Sequence, residues 1–182
     1  MKAESHLLMG RYLAEKYMGN QPRRYVQAFL LGCVEPDKNP ATYLKGSLRC
    51  QWLRGHNFDN SCRYMCKLCT QLGQKERMKL YDFYRLGKLI HYTADAFTYP
   101  HNQFYTDSLR RHRDYERQLS DYFRTRLPAQ SAVSAPRYTS ALQAILGYHR
   151  DYSAFPMGSG TDTRFTVTAC SEVLSLLMGQ PS

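Results

Sequence analysis

Two histidine–carboxylate pairs have the spacing of metal ligands on a helix. His91 precedes Asp95 in LGKLIHYTADAF, and His112 precedes Glu116 in RRHRDYERQ. A spacing of four residues places both side chains on one helix face, about 6 Å apart along the axis. Neutral imidazole and carboxylate are common zinc ligands, and a helix orients such a pair in advance. The same spacing is also typical of ordinary pairs on a solvated helix face.

The surroundings of these pairs favour a buried metal site over a solvated face. The segment HYTADAFTYPHN is apolar and aromatic around His91 and Asp95, and it continues to His101 just after a proline. GHNFDNS places His56 in a turn that leads into a predicted helix. Charged pairs seldom occur in such apolar segments unless they are buried together. His149 lacks this context, and we interpret it as an ordinary hydrogen-bonded histidine.

Hydrophobic periodicity predicts that helices position these residues. The expected helices cover 5–18, 22–31, 61–73, 76–99, 106–127, 138–151 and 163–178. Residues 33–59 contain two prolines and two glycines, which predicts a long ordered loop broken by a short helix. Loops of that size are usually functional. Because no strand alternation extends beyond a few residues, we expect an all-α, compact multi-helix fold.

The composition indicates one basic domain covering residues 1–182. The 25 Lys and Arg residues against 15 Asp and Glu give a formal charge of +10 in 182 residues. A hydrophobic content of 43% excludes a disordered or fibrous chain. No apolar run approaches the ~18 residues of a membrane span, and the opening residues lack the apolar core of a secretion signal. We therefore expect a soluble cytoplasmic protein attracted to phosphate-rich partners such as nucleic acid or an anionic membrane.

The cysteines and the aromatic residues offer competing interpretations. Cys62, Cys66 and Cys69 have the CxxxCxxC spacing that radical S-adenosylmethionine enzymes use for an iron–sulfur cluster. The same spacing is one apolar face of a helix, and the expected barrel strands are missing, so free thiols are favoured. The 15 tyrosines could stack bases of single-stranded nucleic acid, but they more commonly lie on half-buried helix faces. A basic run beside His112 fits either a phosphate-facing rim or a solvated face; it comprises Arg110, Arg111 and Arg113.

The order of the histidines and acids resembles the zinc-dependent phospholipase C family. The closest segments are GHNFDNS, LGKLIHYTADAFTYPHN and HRDYE, within a resemblance over residues 6–116. That all-α family shares its fold and trinuclear zinc site with single-strand-specific nucleases of the P1 type. The implied zinc ligands are His56, His91 and Asp95 for one ion, and His101, His112 and Glu116 for a second. Asp95 would also bridge to a third metal that His6 helps to hold.

The resemblance also implies a catalytic acid and raises a question about the amino terminus. Asp37 resembles the family's acid beside the metal-bound water, and Glu35 in the same VEPDKN segment is an alternative. Secreted members complete the third site with the free amino end of the mature chain. Five residues precede His6 here, and an extended chain covers ~3.4 Å per residue. Whether the Met1 amino group folds back to the site stays open at this point.

The implied activity is hydrolysis of a phospholipid headgroup ester with two or three zinc ions. Zinc lowers the pKa of bound water from 15.7 toward ~7, and the resulting hydroxide would attack phosphorus. The expected partner is a phospholipid or another phosphodiester. Alternatives are a single-strand nuclease on the same metal site and a non-catalytic zinc-stabilised helical module. An aromatic face for a choline group could come from Phe58 or Tyr43, and nothing in the sequence selects between them.

Overall fold

The protein is a bundle of α-helices. A computed structural model of the chain describes residues 1–42, 56–127 and 135–179. Those residues form seven α-helices and no strand, which confirms the predicted all-α fold. The helices are α1 (Ala3–Tyr17), α2 (Arg23–Lys38), α3 (Phe58–Gly73), α4 (Leu80–Ala96), α5 (Leu109–Arg126), α6 (Ala141–Tyr152) and α7 (Ser159–Met178). Short 3-10 turns cover Pro40–Thr42 and Tyr99–His101. None of these helices is both long and apolar enough to cross a membrane.

Helix α4 is the central element of the bundle. Every residue from Leu86 to Ala96 is buried, and α4 packs against α1, α2, α3 and α7. A helix that is buried on all sides lies in the core rather than on the surface. His91 and Asp95 therefore project from a rigid, fully enclosed segment, as a preorganised metal site requires.

Helices α2 and α4 cross in backbone contact at two glycines. A Cβ atom on Gly32 would lie 2.1 Å from the carbonyl oxygen of Tyr84. A Cβ atom on Gly87 would lie 2.1 Å from the carbonyl oxygen of Phe29. Both distances are far below van der Waals contact, so only glycine fits at either position. This crossing brings the C-terminal half of α2 alongside the part of α4 that carries His91.

Helix α2 continues to Lys38, so the predicted helix end near Gly32 and the predicted loop from residue 33 are wrong. Pro36 lies inside the helix, where its ring and its missing N–H normally disfavour helical structure. Cys33, Val34 and Pro36 are buried, and this tertiary packing outweighs the local preference. The helix ends where Asn39 becomes extended before Pro40. Residues 43–55, which complete the predicted loop, lie outside the described residues.

The remaining helix boundaries differ from the predictions by at most four residues. Helix α3 begins at Phe58 because the Asn57 side chain accepts a hydrogen bond from the Asp59 N–H at 3.1 Å. Helix α4 begins at Leu80, where the Asp82 carboxylate accepts from the Lys79 N–H at 3.0 Å. Side-chain caps of this kind satisfy backbone groups that have no partner within the helix.

Hydrogen bonds from α6 hold the segment that follows α4. The Asn102 side chain donates to the carbonyl oxygens of Ala96 at 3.2 Å and Thr98 at 2.9 Å. Its oxygen accepts from His149 Nε2 at 2.7 Å. The His149 ring also stacks on Phe58, with 3.5 Å between centroids. His149 is thus a structural residue that ties α6 to the chain beside His101.

A buried carboxylate on α7 anchors the same segment from the other side. Asp162 is fully buried, and its carboxylate accepts from the Tyr99 N–H at 2.9 Å. It also accepts from the hydroxyls of Tyr115 and Tyr152, each at 2.8 Å. These bonds connect α5, α6 and α7 to the turn that contains His101. A buried carboxylate needs such donors because burial without them costs several kcal/mol.

Replacing Gly87 by Ala tests the close crossing of α2 and α4. We expect Gly87→Ala to lower the free energy of unfolding by about 3 kcal/mol, because the new methyl group overlaps the Phe29 carbonyl. Gly73→Ala is the matched control, since a Cβ there meets nothing nearer than Leu177 Cδ2 at 3.9 Å. That control should change stability by less than about 1 kcal/mol, in the stabilising direction. Urea denaturation followed by circular dichroism measures both; equal midpoints for Gly87→Ala and the wild type would contradict the crossing.

The His149 contact predicts a specific loss of stability in acid. Burial lowers the pKa of His149 to about 4 from the ordinary 6.5. The folded state therefore favours the neutral ring. The contribution of His149 to the free energy of unfolding is complete above pH 6.5 and is lost as the pH falls toward 4. Because the ring is only partly buried, we expect a loss of up to about 2 kcal/mol. His149→Gln keeps a donor for Asn102 without titrating, so the stability difference between wild type and variant should change across this interval. A constant difference would refute this role.

Candidate metal centre

Asp95 lies at the centre of a cluster of imidazoles. Its carboxylate is fully buried. His6 Nε2 lies 3.2 Å from Oδ1, and His56 Nδ1 lies 3.1 Å from Oδ2. His91 Nε2 and His101 Nδ1 lie 3.4 Å and 3.5 Å from Oδ2. The residues around Asp95 thus come from α1, from α4, from the 3-10 turn Tyr99–His101 and from the connection that precedes α3.

Three groups of ligating atoms occur in the described residues. Within each group, one atom from every residue lies within 4.8 Å of the others. The groups are His6, His91 and Asp95; Asp37, His56 and His91; and His101, His112 and Glu116. His56 Nδ1 and His91 Nε2 are also 3.1 Å apart, so the set formed by His56, His91 and Asp95 converges as well. All seven residues that the sequence suggested as ligands meet in this one region.

The amino group of Met1 lies inside the cluster. Its nitrogen is 2.5 Å from Asp95 Oδ1, 3.4 Å from Glu116 Oε1 and 3.1 Å from His101 Nε2. The Ser5 and Ser120 hydroxyls, 2.9 Å apart, hold the start of α1 against α5. In a chain that begins at Met1, the amino group thus reaches the site beside His6, which answers the question that the sequence left open.

Backbone carbonyls orient two of the imidazoles. His91 Nδ1 donates to the Cys33 carbonyl at 2.9 Å, which leaves Nε2 toward Asp95. His101 Nδ1 lies 3.3 Å from the His56 carbonyl oxygen. Metal-binding histidines commonly use one ring nitrogen in this way, since the bond fixes the tautomer and the ring plane.

Thr42 orients a third imidazole, and the sequence analysis missed it. His56 Nε2 donates to Thr42 Oγ1 at 3.1 Å, which leaves Nδ1 toward Asp95. The Thr42 hydroxyl in turn donates to the Pro36 carbonyl at 2.5 Å. In a continuing helix that carbonyl would accept the N–H of residue 40, but residue 40 is proline and has none. Pro36 and Pro40, four residues apart, were therefore the feature of the sequence that could have predicted a side-chain donor to the Pro36 carbonyl.

Glu35 does not face the imidazoles, whereas Asp37 does. Glu35 Oε2 lies 2.7 Å from Lys88 Nζ, and Oε1 accepts from the Asn39 side chain at 2.7 Å. Burial alone would raise the pKa of Glu35, but Lys88 and Asn39 lower it below its usual value. Lys88 is a second residue that the sequence analysis missed, and only the tertiary pairing of α2 with α4 reveals it.

The two carboxylate oxygens of Asp37 have different surroundings. Its Oδ1 lies 3.6 Å from His56 Nδ1 and 3.8 Å from His91 Nε2. Its Oδ2 is buried, lies 3.9 Å from His6 Nε2 and has no hydrogen-bond partner in the described part of the chain. An unsatisfied buried carboxylate oxygen fits a site completed by a metal ion or by water. The donor set of imidazoles and carboxylates also fits zinc.

The pKa shifts of four residues in the cluster favour the protonation states that metal ligands require. Burial alone would raise the pKa of Asp95, but His101 and the Met1 amino group lower it well below its usual value. Burial likewise opposes ionisation of Glu116, yet the amino group and His101 lower its pKa strongly. Burial lowers the pKa of His6 to about 4 and also lowers that of His101. Ionised acids and neutral imidazoles are the forms that bind metal at neutral pH.

An open cleft of about 300 Å³ lies against the cluster. Asp37, His56, His101, His112 and Glu116 line it, together with the first three residues of the chain. A structural zinc site is normally closed by its ligands, whereas a catalytic site keeps a position for water or substrate. The cleft gives a ligand of modest size direct access to the candidate metal ligands.

Other residues singled out in the sequence lie outside the cluster. Cys62, Cys66 and Cys69 are free thiols on α3, and none belongs to a metal-binding group of the described residues. Burial raises the pKa of Cys62 to about 11 and of Cys69 to about 12, which disfavours thiolate ligands. Phe58 stacks on His149, so one face of its ring is covered. Tyr43 lies outside the described residues.

Comparison with known protein families agrees with this geometry. The sequence profile described as zinc dependent phospholipase C matches residues 5–163. This range contains all seven candidate histidine and carboxylate ligands and Asp37. Neither the curated proteins nor the solved structures contain a match. Because the family profile covers most of the sequence, the chain belongs to the zinc-dependent phospholipase C family.

Proposed function

We propose that the protein is a zinc-dependent phosphodiesterase of phospholipase C type, acting on the headgroup ester of a phospholipid. The observation that carries this proposal is the convergence of three His–carboxylate groups in one region, two of which have members that line an open cleft. When bound, zinc would supply an activated water and positive charge for the phosphoryl oxygens. The chain's own residues hold the ions, fix the imidazoles and accept a proton.

Asp37 combines two roles in this proposal. Its Oδ1 lies where a ligand atom would accompany His56 and His91. Its Oδ2 has no hydrogen-bond partner among the residues that the structure describes, and it would accept the proton of the attacking water. A carboxylate held in this position serves as a general base without moving. Glu35 is unsuited to that role because Lys88 and Asn39 occupy its oxygens.

The cleft favours a catalytic centre over a zinc-stabilised module without activity. Structural zinc sites are commonly rich in thiolates, whereas the cysteines of the described residues do not contribute to the cluster. A nuclease on the same metal site remains a second outcome of the experiment below. The substrate class, the number of ions and a peripheral contact with an anionic membrane are parts of the proposal.

Metal analysis and His91→Ala test the proposed activity. The purified protein should contain two or three zinc ions per chain and hydrolyse p-nitrophenyl phosphocholine. His91→Ala should lower kcat/KM by more than about 100-fold, because it removes an atom shared by two ligand groups. His149→Gln is the matched control, since His149 lies outside the cluster; it should retain activity.

Three results would contradict the proposal. Full activity of a folded His91→Ala variant would exclude this cluster as the catalytic centre. Cleavage of a single-stranded oligonucleotide, with no hydrolysis of phospholipid, would make the protein a nuclease. Unfolding on chelation, with no phosphodiester cleaved by the zinc-loaded protein, would make it a structural module.

The Thr42 hydroxyl should raise zinc affinity through His56. Thr42→Val keeps the shape of the side chain but removes the acceptor for His56 Nε2 and the donor for Pro36. We expect about 10- to 100-fold weaker zinc binding, whereas Thr42→Ser should bind like the wild type. Competition with a chelator of known affinity measures this difference. Thr70→Val on α3 is the control, because among the described residues that hydroxyl donates to the Cys66 carbonyl alone. Unchanged zinc affinity in Thr42→Val would contradict the orienting role.

A further inference from the structure

One face of α5 runs from the metal cluster to the protein surface. Leu109, His112, Arg113 and Glu116 follow the spacing i, i+3, i+4 and i+7, which places them on one helix stripe. His112 and Glu116 line the cleft. Leu109 is 73% exposed and Arg113 is also exposed. The stripe therefore continues from candidate ligands to an apolar and a basic side chain at the rim of the cleft.

The first turns of α5 contain three arginines. Arg110, Arg111 and Arg113 are all exposed. Arg111 pairs with Asp107 at 2.7 Å, but neither Arg110 nor Arg113 has an acidic partner among the described residues. Lys2 adds another cation at the border of the cleft. Positive side chains near a helix N-terminus oppose the helix dipole, so the stability of α5 does not explain them.

We propose that this α5 rim, defined as Leu109, Arg110, Arg113 and Lys2, docks the protein on an anionic phospholipid bilayer with the cleft opening toward the lipid. The proposal rests on the proposed function for its substrate, while the surface itself follows from exposure and charge. The arginines would bind lipid phosphates, and the Leu109 side chain would enter the apolar boundary beneath the headgroups. Docking there places a headgroup ester beside the candidate metal ligands.

The exposed leucine favours a bilayer over nucleic acid. Burial of an aliphatic side chain gains free energy in the acyl boundary of a membrane, whereas a phosphate backbone offers it nothing comparable. Binding of single-stranded nucleic acid normally uses aromatic side chains on which bases stack. The α5 rim instead presents an aliphatic side chain surrounded by cations. The formal charge of +10 on the whole chain adds attraction to an anionic surface.

Vesicle flotation with the full-length, zinc-loaded protein tests the docking surface. The probes are vesicles of phosphatidylcholine with 30 mol% phosphatidylserine and vesicles of phosphatidylcholine alone, about 30% being a typical anionic content for such assays. The wild type should bind the anionic vesicles, and binding should weaken as salt rises. The double variant Arg110→Gln/Arg113→Gln should bind about 30-fold more weakly. Leu109→Ser should bind roughly tenfold more weakly.

Matched controls distinguish the effect of the rim substitutions from that of losing positive charge or an exposed leucine elsewhere on the surface. Arg23→Gln/Arg24→Gln removes two exposed arginines at the opposite end of α2, about 20 Å along the helix from Asp37. Leu31→Ser removes another exposed leucine, 57% accessible. Both controls should bind vesicles within about twofold of the wild type. Equal losses in rim and control variants would overturn the proposal, as would binding of an oligonucleotide without binding of vesicles.

Hydrolysis distinguishes failure of docking from failure of the proposed activity. The ratio of vesicle hydrolysis to hydrolysis of soluble p-nitrophenyl phosphocholine should fall in the rim variants. If rim variants lose vesicle binding but no phosphodiester is ever cleaved, docking is supported and the activity is not. If the wild type cleaves the soluble substrate while neither vesicle binding nor that ratio depends on the rim, the activity is supported and the docking surface is wrong.

Discussion

The contact between Gly32 and Gly87 is the constraint on which the site depends. Without a Cβ at either position, the backbones of α2 and α4 approach closely enough for the Cys33 carbonyl to accept from His91. The same approach places Asp37 beside the imidazoles. The pair formed by Glu35 and Lys88, at 2.7 Å, fixes the two helices against sliding along each other. A crossing that looks like simple packing therefore determines which atoms of the cluster face one another.

Asp95 imposes a second constraint because it is ionised and fully buried. Such a group destabilises a fold unless partners compensate for the lost hydration. Here the compensation comes from four imidazoles and the Met1 amino group, whose own pKa is raised to about 10 because Asp95 and Glu116 outweigh the effect of burial. The fold thus places the positively charged Met1 amino group where the surrounding imidazoles and carboxylates would suit a divalent metal ion. Metal binding and folding stability are consequently linked, since the ions would bind the assembled cluster and not the unfolded chain.

Much of the candidate site could be predicted from sequence because its main candidate ligands are local pairs on helices. The spacing of His91 and Asp95 needed only a helix to bring them together, and the helix was predicted from periodicity. The continuation of α2 beyond Pro36 could not be predicted, since the free-energy cost of a proline inside a helix is offset only by packing against α4. Thr42 and Lys88 were missed for the same reason: each acts through a partner that tertiary structure brings near. Local sequence pattern thus suggests candidate ligands, while the groups that orient them become visible only in the fold.

The distribution of charge assigns separate tasks to the cleft and to its rim. Asp37, Asp95 and Glu116 bring three negative charges to the cluster, and already two zinc ions would exceed them. A bound diester would then meet a net positive site, although Lys2 is the only Lys or Arg side chain among the described residues that line the cleft. The exposed arginines of the α5 rim do not replace those ions, because salt screens exposed charges much more strongly than buried ones. Their influence extends to a surface that touches the rim. Under the proposed function, attraction of a lipid interface and stabilisation of the reacting phosphate would therefore rest on different residues and respond differently to salt.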